Sequence, residues 1–373
     1  MPRDARILRF PSRGRFESLS SAEVRLLVEK YLATPLESRS PDLTRQVILK
    51  AESLVGLFSA FVSLIETDPE TVLSETALLY GALTNDTASV GLFDEKDYFI
   101  GEAARFGGWA CRLLGKYSEA EKWLDRAEAA FRHTVNPGPL LAAVAYARMA
   151  VRYETGANDD VLEILPSLIK SFEKLGMKTE HAKSRFLLAV TLKAAGDADR
   201  GFQVLSDLQQ DLTATEEKGL LGQVLTHMGH YHGQRQSLDE AVSFYKSALP
   251  VLKAGGRPIA LAELKWSIGE TYRAQDNLGA SLAAYREAKS DYANLGMGAF
   301  AVKISLAIAD TLLSLGRARE AEWEILAALP TIEEQKMVPE GFAAVALLKE
   351  SVRRRKTDPN ALRELREHLQ ASK

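Results

Sequence analysis

Apolar residues recur at helical spacing along most of the chain, and no strand-like alternation competes with them. The helical stretches are closed by turn signals at a fixed interval. The turn glycine of LLGKYSEAE, Gly115, has equivalents at Gly156, Gly196, Gln236, Asp276, Gly316 and Lys356, with a first step of 41 residues and five further steps of 40. A second ladder runs between them through Gly176, Gly256 and Gly296, with the related EQKM ending at Met337. Two turns per 40 residues, each following an apolar stretch of helical period, predict a unit of helix, turn, helix, turn. A glycine just past a helix end accepts the left-handed backbone at little cost. Ser118 with Glu121, and Ser237 with Glu240, predict capping boxes that start the next helix. Thr67-Asp68-Pro69 and Thr357-Asp358-Pro359 predict an aspartate cap with proline at the first helical position.

Ahead of the array, Ser20 to Ala33 reads as a capped amphipathic helix, Pro41-Asp42 opens a longer one running through Glu66, and Pro69 to Leu83 gives a third. Thr84 to Gly91 reads as the loop that connects them to the repeats. The expected organisation is a basic arm at 1–16, a helical segment at 17–92, and an array at 93–373 of about six repeats plus a capping repeat.

MGHYHGQRQSLDEAVSFYKSAL and SIGETYRAQDNLGASLAAYREAK resemble tetratricopeptide repeats. Their pattern places a small residue in helix A, an aromatic three later, a small residue early in helix B, then an aromatic and an alanine. The first small position is filled by Gly108, Ala189, Gly229, Gly269 and Ala309, with Met149 departing from it. The helix B position is Ala120, Gly201, Ala241, Ser281, Ala321 and Ala361, with Val161 the exception. Tyr245 and Tyr285 fill the later aromatic site, and Ala127, Ala248, Ala288 and Ala328 close the unit. Small residues at the crossing let the two helices approach while large side chains fill the surrounding gaps. The resemblance covers residues 101–373 and implies an all-α, right-handed α-solenoid. In the seventh unit Lys349 replaces the small residue and His368 the alanine, as suits a polar cap.

Composition narrows the function classes. A net charge of −3 over 373 residues gives no global attraction to nucleic acid or membrane. The longest apolar run, Ser53 to Ile65, is 13 residues, too short to span a bilayer. Cys111 is the only cysteine, which excludes a disulfide framework and fits a reducing compartment. It occupies the aromatic slot of the first repeat and is expected to be buried and inert. The first residues, MPRDARILRFPSRGRF, have no apolar h-region, although five arginines against one aspartate leave a transit peptide open. A cytoplasmic protein is the expectation.

The stretch THMGHYHGQ, Thr226 to Gln234, carries three of the six histidines. On a helix His227 and His230 stand about 60° apart and His230 and His232 about 160° apart, so the three cannot converge on one ion. In the repeat register Gly229 is the crossing residue and His232 takes the place of Tyr272. His230 points to the groove, with Glu270 as its expected neighbour. No nucleophile elbow, phosphate loop, dinucleotide fingerprint or zinc-deaminase motif is present, so neither catalysis, a cofactor nor a metal is expected.

Resemblance to tetratricopeptide repeats implies a groove lined by helix A, three residues before its small residue, one after and four after. On those positions stand Arg105, Tyr146, Phe186 and Trp266; then Trp109, His230, Glu270 and Asp310; then Arg112, Tyr153, Lys193 and Arg273. Aromatics beside arginines are the residue types that dominate interface energetics, so a protein or peptide ligand is expected. Cations gather toward one half and acidic groups toward the other, which would orient a ligand of opposite end charges. A non-catalytic binding scaffold is the first reading. The second is a peptide-responsive regulator: a helical N-terminal part followed by long repeats resembles Rap-type bacterial signalling proteins, where groove binding shifts the N-terminal bundle. The third, an electrostatic nucleic-acid binder, rests on Arg353-Arg354-Arg355-Lys356 and the N-terminal arm.

Overall fold

The computed structural model describes residues 22–35, 51–85 and 95–356, with isolated positions between 38 and 47. The arm at 1–16, Pro41-Asp42, most of the 84–91 loop, Thr357-Asp358-Pro359 and His368 lie outside the described residues. Among the described residues the secondary structure is helical, without strands.

The chain divides into two compact units at Asp197 and Ala198. The first holds α1 (Ala22–Ala33), α2 (Ala51–Leu64), α3 (Pro69–Asn85), α4 (Lys96–Leu113), α5 (Tyr117–Phe131), α6 (Pro137–Glu154), α7 (Asn158–Lys174) and α8 (Lys178–Ala194). The second holds α9 (Ala198–Thr213), α10 (Lys218–Gln234), α11 (Leu238–Ala254), α12 (Pro258–Ala274), α13 (Leu278–Asn294), α14 (Gly298–Ser314), α15 (Ala318–Glu334) and α16 (Val338–Lys356). Within each unit consecutive helices pack on one another.

Left-handed residues set the period. Positive φ occurs at Gly156, Gly176 and Gly196, and again at every twentieth residue from Gln236 to Lys336. Each such residue sits in a paired backbone motif. At Gly115 the amide donates to the Arg112 carbonyl at 3.0 Å while the Lys116 amide donates to Cys111 at 2.8 Å. The same two bonds recur at Asp276, to Arg273 and Tyr272. They satisfy the last carbonyls of the helix and turn the chain back in three residues.

The expected capping boxes do not form. Tyr117 already opens α5, with Lys116 as its N-cap, and Ser237 caps α11 without a side-chain bond. The N-cap residue is also the last residue of the preceding turn, which holds Ser237 at φ −83 and ψ 69 and Asn277 at φ −87 and ψ 68; from that backbone the short serine hydroxyl makes no cap bond and the longer amide does. Asn277 does cap, accepting from Ala280 N at 3.3 Å. Asp68 caps α3 as expected, its Oδ1 accepting from Thr71 N at 3.1 Å.

The crossing glycines meet the residues that their pattern requires. A Cβ built on Gly229 would lie 2.3 Å from the Tyr245 ring, and one on Gly269 would lie 2.5 Å from Tyr285. Both tyrosines are buried. In the first unit Phe58 of α2 stacks on Phe106 of α4 at 5.5 Å, so α1 to α3 share one core with the first repeat.

Candidate functional site

The twelve groove positions all stay open to solvent: Glu270 is exposed and the other eleven are half-buried. Other positions of the same three rows, Thr226, Val190, Leu306 and Leu313, are buried core instead.

In the first unit the site is built from α4, α6 and α8. Arg105 forms a two-pronged pair with Glu102, at 2.9 and 3.2 Å, and Glu102 itself is only 1% exposed. Arg112 of α4 bonds Glu154 of α6. Burial pushes the Tyr146 hydroxyl up to about 12, with the Arg112 charge pulling it down and Glu180 pushing it up. Glu180 of α8 acts on Arg105 as well, so these three helices place their polar groups in one neighbourhood. Lys193 differs from its neighbours. Burial lowers its ammonium below the usual lysine value, and no carboxylate among the described residues pairs with it.

In the second unit Arg273 bonds both Asp310 and Thr311 of α14, so two of the expected groove charges neutralise one another. His230 lies 3.0 Å from Ser267 Oγ and edge-on to Tyr245. On α12 it thus meets Ser267, one turn before its expected neighbour Glu270. Glu270 is taken up elsewhere: its Oε1 accepts from Tyr285 at 2.6 Å and from the Trp266 indole at 3.1 Å. His232 replaces an aromatic in packing too, stacking on Phe244 at 5.2 Å and meeting Phe202 edge-on.

Trp266 and Glu270 line a cavity of about 380 Å³ together with Ile259, Glu263, Ser267, Tyr292, Met297 and Phe300. Glu263, Tyr292, Met297 and Phe300 are absent from the sequence-derived set. Glu263 was legible, since 263, 266 and 270 are spaced i, i+3, i+7 and share a helix face. Extending the rows one turn toward the helix N-terminus finds it. Tyr292 and Phe300 come from the end of one helix B and the start of the next helix A, which groove rows along helix A do not reach.

Cys111 is fully buried, and burial pushes its thiol up to about 11, so it carries no thiolate at neutral pH. Among the described residues no group of three or more His, Cys, Asp or Glu side chains is placed to hold a metal ion, and no helix is long and apolar enough to cross a membrane. The arginine cluster is internally engaged. Arg353 and Arg354 both reach Glu350, and Arg355 reaches Glu322.

No family model and no curated protein matches the sequence. Solved structures do match in shape. A Rap protein in complex with competence and sporulation factor aligns over 91% of this chain and 94% of its own, at a TM-score of 0.58 and 13% identity. A signal-transduction ATPase of the STAND type from Pyrococcus horikoshii, with a tetratricopeptide-repeat sensor, aligns over 95% of this chain at 0.55 and 13% identity. This chain spans 54% of that protein's length. Aspartyl phosphate phosphatase F from Bacillus subtilis aligns over 90% of this chain and 95% of its own, at 0.51 and 12% identity. The chain has a tetratricopeptide-repeat fold. At these identities the likeness concerns the fold, an all-α array of antiparallel helix hairpins, and the tetratricopeptide-repeat assignment made from Gly229, Tyr245 and their equivalents stands with it.

Proposed function

We propose that this tetratricopeptide-repeat protein is a non-catalytic scaffold that binds a peptide or an extended protein segment along its helix A faces. The observation that carries the reading is the set of aromatics kept half-open among polar groups: Trp109, Tyr146, Tyr153 and Phe186 in the first unit, and Trp266 in the second. Each packs one side against the core of its own unit and leaves the remainder open beside hydrogen-bonding groups, which fits an interface. Lys193 adds an ammonium without an internal counter-charge on the same face of the first unit. Arg105, Arg112, Arg273 and Asp310 act as a scaffold for these aromatics, because each is already paired with a neighbour. In the second unit His230, hydrogen-bonded to Ser267 and in the same helix A row as Glu270, is expected to border a ligand.

Selection of peptides from a displayed library on the full chain tests the reading. Binders should emerge, and those that dock on the first unit should lose about tenfold or more with Tyr146→Ala, those on the second with Trp266→Ala, the usual cost of losing an interface aromatic. Binders that ignore both substitutions would move the interface to another face.

One observation favours a peptide-responsive regulator as the second reading. Trp109 stacks on Phe106 at 5.9 Å, and Phe106 stacks on Phe58 of α2, so a ligand on Trp109 is two ring contacts from the N-terminal helices. The structurally similar Rap protein is seen with competence and sporulation factor bound. A regulator of this kind should change hydrogen exchange in α2 when a selected peptide binds; a static scaffold should leave α2 unchanged.

A further inference from the structure

The cavity in the second unit is walled by rings and floored by acid. Trp266 of α12, Tyr292 of α13 and Phe300 of α14 supply aromatic surface, the last two stacked at 5.1 Å and 13°. Glu263 and Glu270 stand on the same α12 face as Trp266. Both bonds to Glu270 fall on Oε1, which leaves its Oε2 to accept another donor. Glu263 is reached by solvent, yet crowding in the concavity raises its carboxyl above the ordinary value.

The repeat register shows what this carboxylate lacks. Glu102 occupies the equivalent position in the first repeat, and there the residue three later is Arg105, which neutralises it. In the fifth repeat the residue three later is Trp266. Nearby lysines are committed elsewhere. Lys265 turns to Glu287 and Asp291 at 3.3 and 2.7 Å, and Lys303, over the Phe300 ring, pairs with Glu340 at 3.8 Å. Among the described residues no cation pairs with Glu263 or Glu270.

We propose that this cavity is a subsite for a cationic side chain, an arginine or a lysine, of the bound peptide; it deepens the peptide-binding reading and rests on it. Tyr292 and Phe300 cover one another, so a guanidinium or ammonium entering the cavity lies against the Trp266 ring and can donate to Glu263 or to Glu270 Oε2. An anionic group would face two carboxylates, and an apolar one would cover Glu263 without supplying a donor.

Four tryptophans give a direct readout. The full chain is labelled with 15N at the indole, Trp266 is assigned through Trp266→Phe, and the protein is titrated with N-acetyl-arginine amide and with its uncharged isostere, N-acetyl-citrulline amide. The arginine probe should move the Trp266 resonance, and the citrulline probe should bind about fivefold more weakly or worse, the difference between a charge-assisted and a neutral hydrogen bond. Glu263→Gln should weaken the arginine probe by a similar factor, while unmoved Trp109, Trp123 and Trp323 signals report an intact fold. Equal response to both probes, a silent Trp266, or an unchanged affinity in Glu263→Gln would overturn the subsite. Selected peptides that lack any preferred basic position would also remove the subsite while leaving peptide binding in place. An arginine-specific shift at Trp266 with no peptide ever selected would do the reverse.

Discussion

At the scale of single residues, the crossing positions behave as matched pairs. Gly229 faces Tyr245 and Gly269 faces Tyr285, each with no space for a Cβ. In the sixth repeat the small residue is Ala309 and the residue sixteen later is Ile325, both fully buried in one core. Gly229→Ala should therefore cost about 1–3 kcal/mol, the usual range for forcing a methyl into a packed core. Adding Tyr245→Ile should recover part of that loss, and urea denaturation of the single and double variants measures it; a double variant weaker than the sum of both singles would refute the pairing. Glu263 gives a pH signature. Its carboxyl is raised in the folded chain, so the folded state favours the protonated form, and the ionised form costs stability once pH passes the ordinary carboxylate value. Glu263→Gln should raise the Tm at pH 7, and the gain should vanish as pH falls below about 4, where the wild-type carboxyl is protonated in both states. A lower Tm at pH 7 would mean that Glu263 has a stabilising partner.

At the scale of the helix and its turn, the recurring unit is one helix of about seventeen residues and a three-residue reversal, such as Leu278–Asn294 followed by the turn at Gly296. Three of these turns place a side chain where glycine is favoured: Gln236 at φ 61, Asp276 at φ 58 and Lys336 at φ 53. Gln236→Gly and Lys336→Gly should each stabilise by about 0.5–1 kcal/mol, whereas Gly296→Ala should destabilise by about as much. Thermal melts of the three variants decide it. Most of this level was legible in the sequence, because a glycine ladder of period 40 fixes where helices end. The serine caps fail for a physical reason: the closing motif of the previous helix sets the N-cap backbone, and from it the longer Asn277 amide reaches the next helix while the Ser237 hydroxyl does not. The cavity was half legible. Trp266 and Glu270 follow from helix register, but Tyr292 and Phe300 converge on them only once successive helices are laid side by side.

For the molecule as a whole, two compact units and neighbour-to-neighbour packing within each bear on how disturbance spreads. In such arrays stability is close to a sum over repeats and their immediate interfaces. Gly229→Ala should then lower hydrogen-exchange protection in α10 to α12 and leave α2 to α4 at wild-type protection, as read by mass spectrometry. Uniform loss across both units would show that they unfold together.

The reversals between helices are closed by main-chain donors and acceptors, with side chains asked only to tolerate a left-handed backbone. Such joints survive wholesale exchange of amino acids, as the three non-glycine turns already illustrate. The turns therefore constrain few side chains, and the tighter demands on residue type fall at the crossing positions. Solved structures of 12 or 13% identity share the fold on such joints, so a ligand of this chain is to be read from its own cavity walls.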